Sequence, residues 1–464
     1  MSCVDPELFS SIIVGGGPGG LGPLLWAAQH GHLPDWLRQG VALVEQSDRL
    51  GGSLGRYGIN SDSLGASYLE CLDATDLPEA LHYLRRDPTT LEMHDYRTSF
   101  PPLQLVDRYM GRIGLGIAAM FAEEPCSALH LETVAQSIHL RRDGNVAVLI
   151  RRGQQGRQPT QMLIGRSAVV ALGGRQPWRD QSPAPGLSFA DCTMHCILPS
   201  NSLLTHEGLA QANEIMRTAK GRRIVVLGGS HSAYAAAWAL LAQSHADKLR
   251  DGQLVIVQRR PPRVFYPDSA AAIADNYEFT PGDLCIRTQR VNRMGGLRGH
   301  GRDIWRRIAT KPDTLSEPRV LVVSLQDLTT AELRVLIEEA ALVVPCLGYR
   351  SATLPVYDAS GRRLVLKADR NEDAVGDDCR LLLDDGTKLD NIFCIGLGTG
   401  FRPSQAMGCE PNFEGQANSL WLYHNDIGAV VYRAVEAILN EPPSPMGFAA
   451  RVAAWRYPPH PGSF

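Results

Sequence analysis

The chain has 464 residues, of which 44% are hydrophobic and 20% are charged, and its formal net charge is −3. This composition describes a globular protein with two or three ordinary cores, excludes a disordered or fibrous chain, and gives no overall attraction to nucleic acid or an anionic membrane. With no apolar run near the roughly 20 residues of a membrane span and no basic signal-peptide start, we expect a soluble cytoplasmic protein.

The first predicted element is a strand–turn–helix unit near the N-terminus. An apolar run leads into the glycine-rich turn formed by residues 15–20, and an Ala/Leu-rich stretch follows. In such a unit Gly15, Gly17 and Gly20 let the backbone approach a pyrophosphate that lies on the helix N-terminus. A bare strand–helix connection is the alternative explanation of the turn.

The strand that follows this unit ends in an acidic residue. Residues 41–44 are apolar and Glu45 comes next, at the distance where an acid binds the ribose hydroxyl pair of an adenine dinucleotide. An ordinary surface glutamate at a strand end is the alternative. We predict that this unit binds FAD through Glu45, with Gln46 and Ser53 as further contacts.

The ten cysteines of the chain are scattered and include no CxxC pair. Cys192 and Cys196 flank His195, but no further ligand cluster accompanies them. We therefore predict no metal site and interpret the cysteines as ordinary thiols in a reducing compartment.

A second strand–turn–helix unit begins about two hundred residues after the first. The apolar residues 224–227 precede a turn in which Gly228, Ser230, His231 and Ser232 are the predicted nucleotide contacts. The next strand, at residues 254–257, is followed by basic residues where the first unit has an acid. Arg259 and Arg260 suit the oxygens of a 2′-phosphate, which favours NADPH over NADH. A solvated basic loop is the alternative.

Two further apolar strands, at residues 168–174 and 341–349, have the form that closes such units, and a last apolar strand at residues 391–398 precedes the C-terminal segment. The predicted fold class is α/β with two Rossmann-like domains of the three-layer ββα type, for FAD and NADPH. Residues 1–205 form the first part of the FAD domain, residues 206–365 an inserted NADPH domain, and residues 366–464 the second part of the FAD domain with a C-terminal segment. A Pro/Ser/Gly-rich linker covers residues 176–188.

Candidate substrate contacts come from two later segments. Seven arginines lie between residues 283 and 311, and among them Arg298 stands inside a glycine-rich loop that can bring a guanidinium to a carboxylate. A salt bridge or a contact to the NADP phosphates is the alternative for Arg298. Gln416 and Asn418 could face the flavin or a substrate amine or be surface amides, and Arg402 follows a glycine-rich turn that can approach the FAD pyrophosphate.

The chain resembles the class B flavin-dependent monooxygenases, in particular their N-hydroxylating branch. The segment 189–199 has the Phe and His of a fingerprint similar to FxGxxxHxxx(W/Y/P), with Asp191 in place of its Gly. The second glycine-rich turn is similar to GxGQSA, with Ser230 and His231 as departures, and residues 347–349 are similar to the ATGY element. The segments 57–63 and 98–109 also resemble stretches of the N-hydroxylating enzymes.

This resemblance implies a reaction in which NADPH reduces FAD and a flavin C4a-hydroperoxide transfers oxygen to a substrate amine. It points to His195, Asn60 and Ser63 around the reacting groups, and to His195 and His231 as positioning residues for the nicotinamide. An amino-acid-like amine, with aspartate as one example, is the implied substrate together with dioxygen. The sequence is compatible with a homo-oligomer. S-oxygenation, Baeyer–Villiger oxygenation, a non-oxygenating NADPH-dependent flavin reductase and a silent nucleotide sensor remain alternatives.

Overall fold

A computed structural model of the chain describes residues 8–153, 159–194, 196–243, 245–309, 316–416 and 418–440. The described residues form sixteen strands: β1 (Leu8–Val14), β2 (Val41–Val44), β3 (Ala128–His130), β4 (Thr133–Leu140), β5 (Val146–Arg152), β6 (Thr160–Val170), β7 (Gly174–Arg175), β8 (Ile224–Leu227), β9 (Leu254–Gln258), β10 (Val320–Ser324), β11 (Leu342–Pro345), β12 (Arg350–Ser351), β13 (Val356–Tyr357), β14 (Arg363–Leu364), β15 (Arg380–Leu382) and β16 (Lys388–Cys394). They also form thirteen α-helices: α1 (Pro18–Gln29), α2 (Leu33–Arg38), α3 (Gly65–Leu69), α4 (Pro88–His94), α5 (Leu103–Glu123), α6 (Ser200–Leu203), α7 (His206–Thr218), α8 (His231–Leu241), α9 (Ser269–Ala274), α10 (Gly299–Ile308), α11 (Thr330–Glu338), α12 (Leu420–His424) and α13 (Asp426–Asn440).

A ten-stranded sheet is built around the long strand β6. Strands β3, β2, β1, β6 and β16 are parallel in that order, with Ile12 of β1 opposite Ala42 on one side and Ala168 on the other. The N-terminal half of β6 pairs instead with β5, which pairs with β4, in an antiparallel meander. The parallel strands are apolar on both faces because helices cover one face and the meander the other, which is the expected three-layer arrangement.

A second, four-stranded sheet is formed by residues between 224 and 345. Its order is β10-β9-β8-β11 and all pairs are parallel, as in a nucleotide-binding unit. The chain enters this sheet after β6 and returns to the large sheet at β13, which pairs with β4. This return comes before residue 365, the predicted end of the inserted domain. A two-stranded ladder of β7 and β12 lies at the two crossings between the sheets.

Helices α1, α12 and α13 pack together against the parallel part of the large sheet. A Cβ at Gly22 of α1 would lie 2.3 Å from the Tyr423 carbonyl oxygen of α12, so the two helices touch through backbone. Because these helices close together, the C-terminal segment is fixed beside the first glycine-rich turn. Within the described part of the chain, no helix is long and apolar enough to cross a membrane, and no group of three His, Cys, Asp or Glu side chains could hold a metal ion.

Candidate functional site

A cavity of about 680 Å³ lies where the two sheets meet, at the carboxyl ends of β1 and β2. We call it the central cavity. Ten of the sequence-predicted site residues line it: Gly15, Gly17, Glu45, Gln46, Ser53, Asn60, His231, Ser232, Arg298 and Asn418. Ligands of open α/β sheets bind at this edge, outside the carboxyl ends of the strands.

The first glycine-rich turn forms the floor of the central cavity. A Cβ at Gly20 would lie 1.8 Å from the Gly15 carbonyl oxygen, so only glycine permits this approach of helix α1 to the turn. Helix α1 begins after Gly17 without a side-chain cap, which leaves its N-terminal amides available to a phosphate. Glu45 is buried and accepts hydrogen bonds from the Gly16 amide at 2.6 Å and the Ser47 amide at 2.8 Å. This arrangement fits the pyrophosphate and ribose of FAD.

Another wall of the central cavity is formed by residues of the segment 57–63, which follows the first turn and strand β2 in the chain. The Ser61 amide donates to the Pro101 carbonyl oxygen at 2.8 Å, which fixes the segment to the start of α5. The hydroxyls of Ser61 and Tyr68 lie 2.6 Å apart, and the Ser63 amide donates to the Ser61 hydroxyl at 2.9 Å. Asn60 and Asp62 line the cavity, whereas Ser63 is buried behind them.

The second glycine-rich turn reaches the central cavity from the four-stranded sheet. Gly228 has a φ of +144°, and a Cβ there would lie 2.5 Å from the Cys346 carbonyl oxygen, so the turn requires glycine. Ser230 starts helix α8 without a side-chain cap, again leaving amides for a phosphate. Arg259 and Arg260 follow β9 with exposed side chains beside this turn. The arrangement fits NADPH, with His231 and Ser232 on the cavity side.

Arg298 and His231 are joined across the cavity wall. The Arg298 amide donates to His231 Nε2 at 3.2 Å, which requires a neutral ring at that nitrogen. Burial lowers the pKa of His231, and the Arg298 charge lowers it further against the opposing effect of Asp62. His231 therefore holds the backbone of the Arg298 loop against the start of α8.

The Arg298 side chain reaches the central cavity, and no carboxylate of the described residues is hydrogen-bonded to it. Nη1 donates to the Asp62 carbonyl oxygen at 3.3 Å, Nη2 donates to the Arg293 carbonyl oxygen, and the guanidinium lies 4.3 Å from the Phe265 ring centroid. Nε is buried and has no partner among the described residues. A guanidinium held by backbone carbonyls keeps its charge and its remaining donors for an anion.

Four other arginines of this segment are used within the fold. Arg287 pairs with Asp426 at 2.9 Å, Arg306 with Asp275 at 3.0 Å and Arg307 with the buried Glu317 at 2.5 Å. Arg302 stacks on Tyr266, with its guanidinium 4.4 Å from the ring centroid. Arg298 is thus the arginine of the 283–311 segment that lines the central cavity.

Three further residues with polar side chains, not predicted as site residues from the sequence, line the central cavity. The Tyr423 hydroxyl is buried and has no hydrogen-bond partner among the described residues, which suits a contact to a bound flavin. The side-chain oxygen of Asn201 is likewise buried without a partner among the described residues, and Tyr349 is part of the same cavity wall. The similarity of residues 347–349 to the ATGY element could have indicated Tyr349. Tyr423 lies in the apolar helix α12, where its sequence context is the same as that of a tyrosine in the hydrophobic core.

Two predicted site residues, Arg402 and Gln416, do not line the central cavity. Arg402 is exposed and pairs with Asp373 at 3.3 Å, and Gln416 Nε2 donates to the same carboxylate at 3.2 Å. Asn418 Oδ1 accepts from the Gly398 amide at 3.1 Å while it lines the cavity. His195 lies outside the described residues.

Asp191, which stands where the fingerprint has glycine, takes part in a local hydrogen-bond pattern. Ser188 and Asp191 form a capping box around the short 3₁₀ helix Phe189–Asp191, in which the Ser188 amide donates to Asp191 Oδ2 at 3.2 Å. Phe189 of the same turn is buried against Trp178. The aspartate therefore satisfies the backbone at a position where the fingerprint has glycine.

Comparison with known proteins gives one curated relative that aligns almost end to end. The CMP-5′-(3-aminopropyl)phosphonate hydroxylase of Streptomyces rubellomurinus is 31% identical over 445 residues, which are 92% of this chain and 98% of that protein. No family model matches the chain.

Solved structures with 14% identity share the fold. They include the cadaverine monooxygenase of the desferrioxamine pathway from Erwinia amylovora, with a TM-score of 0.53 over 95% of this chain and 97% of that one. The ornithine hydroxylase of Pseudomonas aeruginosa has a TM-score of 0.52 over 93% and 100% of the two chains. The ornithine N-hydroxylase of Kutzneria sp. 744 has a TM-score of 0.50 over 93% and 99%.

Proposed function

The chain belongs to the N-hydroxylating class B flavin-dependent monooxygenases, and on that premise we propose that it N-hydroxylates the primary amine of an aminoalkylphosphonate presented as a nucleotide conjugate. It is an enzyme that uses FAD and NADPH. When bound, FAD that has been reduced by NADPH activates dioxygen for transfer to a nitrogen. The protein's own residues bind and orient the amine and exclude water from the central cavity.

Arg298 carries this proposal, because it is a charged group in the cavity wall with donors to spare. A planar guanidinium recognises the oxygens of a phosphonate or carboxylate in bidentate geometry. The Streptomyces relative acts, by its name, on an amine that bears a phosphonate joined to CMP. A substrate of the same class would place its phosphonate on Arg298 and its amine toward the flavin.

Asp62 is placed to bind the amine end of a substrate in this orientation. Its carboxylate lies at the cavity wall, close enough to oppose the lowering of the pKa values of His231 and Arg298. A carboxylate there attracts an ammonium group, and a proton that leaves the amine can pass to solvent along this exposed side chain. The overall reaction is R–NH₂ + O₂ + NADPH + H⁺ → R–NHOH + NADP⁺ + H₂O, with NADPH as the reductant of the second oxygen atom.

Aspartate is the second candidate substrate. Its amine and carboxylates fit the same pair of groups, since one guanidinium binds a carboxylate as well as a phosphonate. The two candidates differ in what lies beyond the anion, because aspartate ends where the phosphonate conjugate continues into a nucleotide.

A substrate panel tests the proposal directly. The FAD-loaded enzyme is incubated with NADPH, dioxygen and one amine at a time: CMP-linked 3-aminopropylphosphonate, free 3-aminopropylphosphonate, aspartate or ornithine. We expect one hydroxylamine per NADPH with the phosphonate-bearing amines, and little with ornithine. Oxidation of NADPH without any hydroxylamine from the whole panel would contradict N-hydroxylation, and selective hydroxylation of aspartate would replace the phosphonate by an amino acid.

Variants at Arg298 test the anchoring group. Arg298→Lys keeps the charge but loses the fork, and we expect it to raise the KM for the amine about tenfold or more, the cost of one charge-assisted hydrogen bond. The rate of flavin reduction by NADPH should stay unchanged. Arg302→Lys is the matched control, because Arg302 lies one helical turn further on and stacks on Tyr266. Slowed flavin reduction in Arg298→Lys would instead assign Arg298 to the nicotinamide.

A further inference from the structure

A second cavity, of about 470 Å³, adjoins the central one. We call it the side cavity. Its wall contains residues of the segment 57–63, of helices α5, α7, α8 and α10, and of the turn after α8. They are Gly58, Ile59, Asn60, Gln104, His206, Leu209, Ala210, Asn213, Trp238, Gln243 and His300. None of these described lining residues is acidic. The described lining is mostly polar and contributes no negative charge that would repel a phosphate.

The wall of the side cavity combines ring stacking with amide groups. The rings of Trp238 and His300 are stacked at a centroid distance of 3.4 Å and an angle of 6°, and His300 Nδ1 is buried with no partner among the described residues. Gln104 Nε2 donates to the Tyr57 carbonyl oxygen at 2.7 Å, which orients its amide. Gln243 Nε2 donates to the Ala239 carbonyl oxygen at 2.9 Å. Flat rings and oriented amides are the groups that bind a nucleobase by stacking and edge hydrogen bonds.

The side cavity shares part of its wall with the central cavity. Ile59, Asn60 and His300 line both cavities, so the two lie side by side. Arg298 lines the central cavity two residues before His300, at the start of α10. Asp62 and Arg298 line the central cavity and His300 lines both cavities, so these three residues can receive the amine, the phosphonate and the nucleoside of a nucleotide-linked aminophosphonate.

The adenosine of NADPH does not account for the side cavity. In a Rossmann unit the adenosine lies at the carboxyl ends of the strands, near the start of the first helix and the basic residues after β9. Trp238 is about 10 Å along α8 from His231 at the helical rise, and Gln243 lies beyond the end of that helix. The side cavity is therefore on the far part of α8, away from Arg259 and Arg260.

We propose that the side cavity binds the nucleoside of the substrate, as a pyrimidine nucleoside monophosphate that carries the amine, with its base against the Trp238–His300 pair. This inference rests on the proposed function for the identity of the conjugate. It assigns the Trp238–His300 pair and Gln104 to substrate specificity and leaves the transfer of oxygen to the groups of the central cavity.

Binding of CMP to the wild-type holoenzyme gives the first test, since it needs no turnover. Calorimetry is run with FAD bound and with saturating NADP⁺, so that the adenosine site is filled. We expect CMP to bind with a stoichiometry of one, and to inhibit hydroxylation competitively against the CMP-linked amine but not against NADPH. Absence of CMP binding under these conditions would overturn the inference.

The His300→Ala variant gives the second test. Loss of the stacked ring should weaken CMP binding and raise the KM for the CMP-linked amine on the order of tenfold, with kcat unchanged, as expected for base–aromatic stacking. The KM for free 3-aminopropylphosphonate should rise less than that for the CMP-linked amine, because the free amine carries no base to stack. His139→Ala is the matched control, because His139 is stacked on Tyr357 at 4.8 Å outside both cavities.

The outcomes separate the two proposals. If no amine of the panel is hydroxylated but CMP binds and His300→Ala weakens that binding, the proposed substrate class fails while the nucleoside site stands. If free and CMP-linked amines react equally and His300→Ala changes neither, the nucleoside site is wrong while N-hydroxylation stands.

Discussion

Arg259 and Arg260 are the residues through which we propose that the protein distinguishes NADPH from NADH. They follow β9 where an acid would bind the ribose of NADH, and Gln258 before them accepts a hydrogen bond from the Tyr234 hydroxyl at 3.0 Å. Replacing both arginines by alanine removes charge-assisted contacts to the 2′-phosphate. We expect the KM for NADPH to rise about tenfold to a hundredfold and the KM for NADH to change little, measured by flavin reduction under anaerobic conditions.

A surface arginine outside the site provides the control for that pair. Arg141 is exposed and pairs with Asp143 at 2.9 Å, so Arg141→Ala removes one positive charge from the surface without touching the second turn. It should leave both KM values unchanged. An equal rise for NADPH and NADH in the double variant would mean that the two arginines do not contact the 2′-phosphate.

The residues that the sequence could reveal are those at the ends of strands and in turns. Glu45 and the first glycine-rich turn are adjacent in the chain to a recognisable strand, so their placement at the cavity follows from local pattern. Tyr423 reaches the same cavity from a helix at the other end of the chain, through packing of α12 on α1. Only tertiary contact brings it there, and no spacing in the sequence encodes that contact.

Among the elements, the parallel strands were the predictable ones. Continuous apolar runs bounded by glycine predict β1, β8 and β11. The meander of β4, β5 and the first half of β6 was not predicted, because its strands are half-exposed and mix Thr, Gln, Ser and Arg with apolar residues. Strand β6 is consequently longer than the predicted apolar run at 168–174, since its N-terminal half pairs with β5.

The first glycine-rich turn yields a prediction that separates folding from FAD binding. An added Cβ at Gly17 would have Gly52 Cα at 3.7 Å as its nearest neighbour, an ordinary contact, whereas at Gly20 it would collide with the Gly15 carbonyl oxygen. We expect Gly17→Ala to fold normally but to bind FAD weakly, because the methyl group enters the pyrophosphate position. Gly20→Ala should lose about 2 kcal/mol or more of stability as the helix is displaced.

Two measurements distinguish these variants. Thermal unfolding of the FAD-free proteins should give a wild-type transition for Gly17→Ala and a lower one for Gly20→Ala. The ratio of flavin to protein absorbance after purification should fall for both. Full FAD occupancy in Gly17→Ala would contradict the placement of the pyrophosphate at this turn.

The junction of α12 with α1 carries a pH-dependent contribution to stability. Burial lowers the pKa of His424 to about 4, against the opposing effect of a hydrogen bond with the Pro18 backbone, and Nε2 has no partner among the described residues. Because the folded pKa lies below the unfolded value of about 6.5, the contribution is complete above pH 6.5. It is lost as pH falls from there to about 4, and amounts to about 3 kcal/mol.

Replacement by leucine removes this titration. The acid-induced loss of unfolding free energy over that pH interval should be smaller in His424→Leu than in the wild type, as measured by urea denaturation at successive pH values. His94→Leu, at an exposed helix end, should reproduce the wild-type profile. Parallel profiles for the wild type and His424→Leu would show that His424 is protonated in both states or in neither.

At the scale of the whole molecule, the central cavity joins the two sheets into one ligand-dependent unit. Its wall comes from the large sheet through Gly17 and Glu45, from the four-stranded sheet through Ser232, and from the loop of Arg298. A ligand that fills it contacts every part at once, so its binding free energy stabilises both sheets.

We expect NADP⁺ to raise the unfolding temperature of the FAD-loaded protein in a single transition, with about 2.7 kcal/mol of stabilisation at a hundredfold excess over its Kd. The double replacement of Arg259 and Arg260 should reduce that shift at the same concentration. Two calorimetric transitions, of which NADP⁺ moves only one, would show instead that the sheets unfold independently and that the cavity does not couple them.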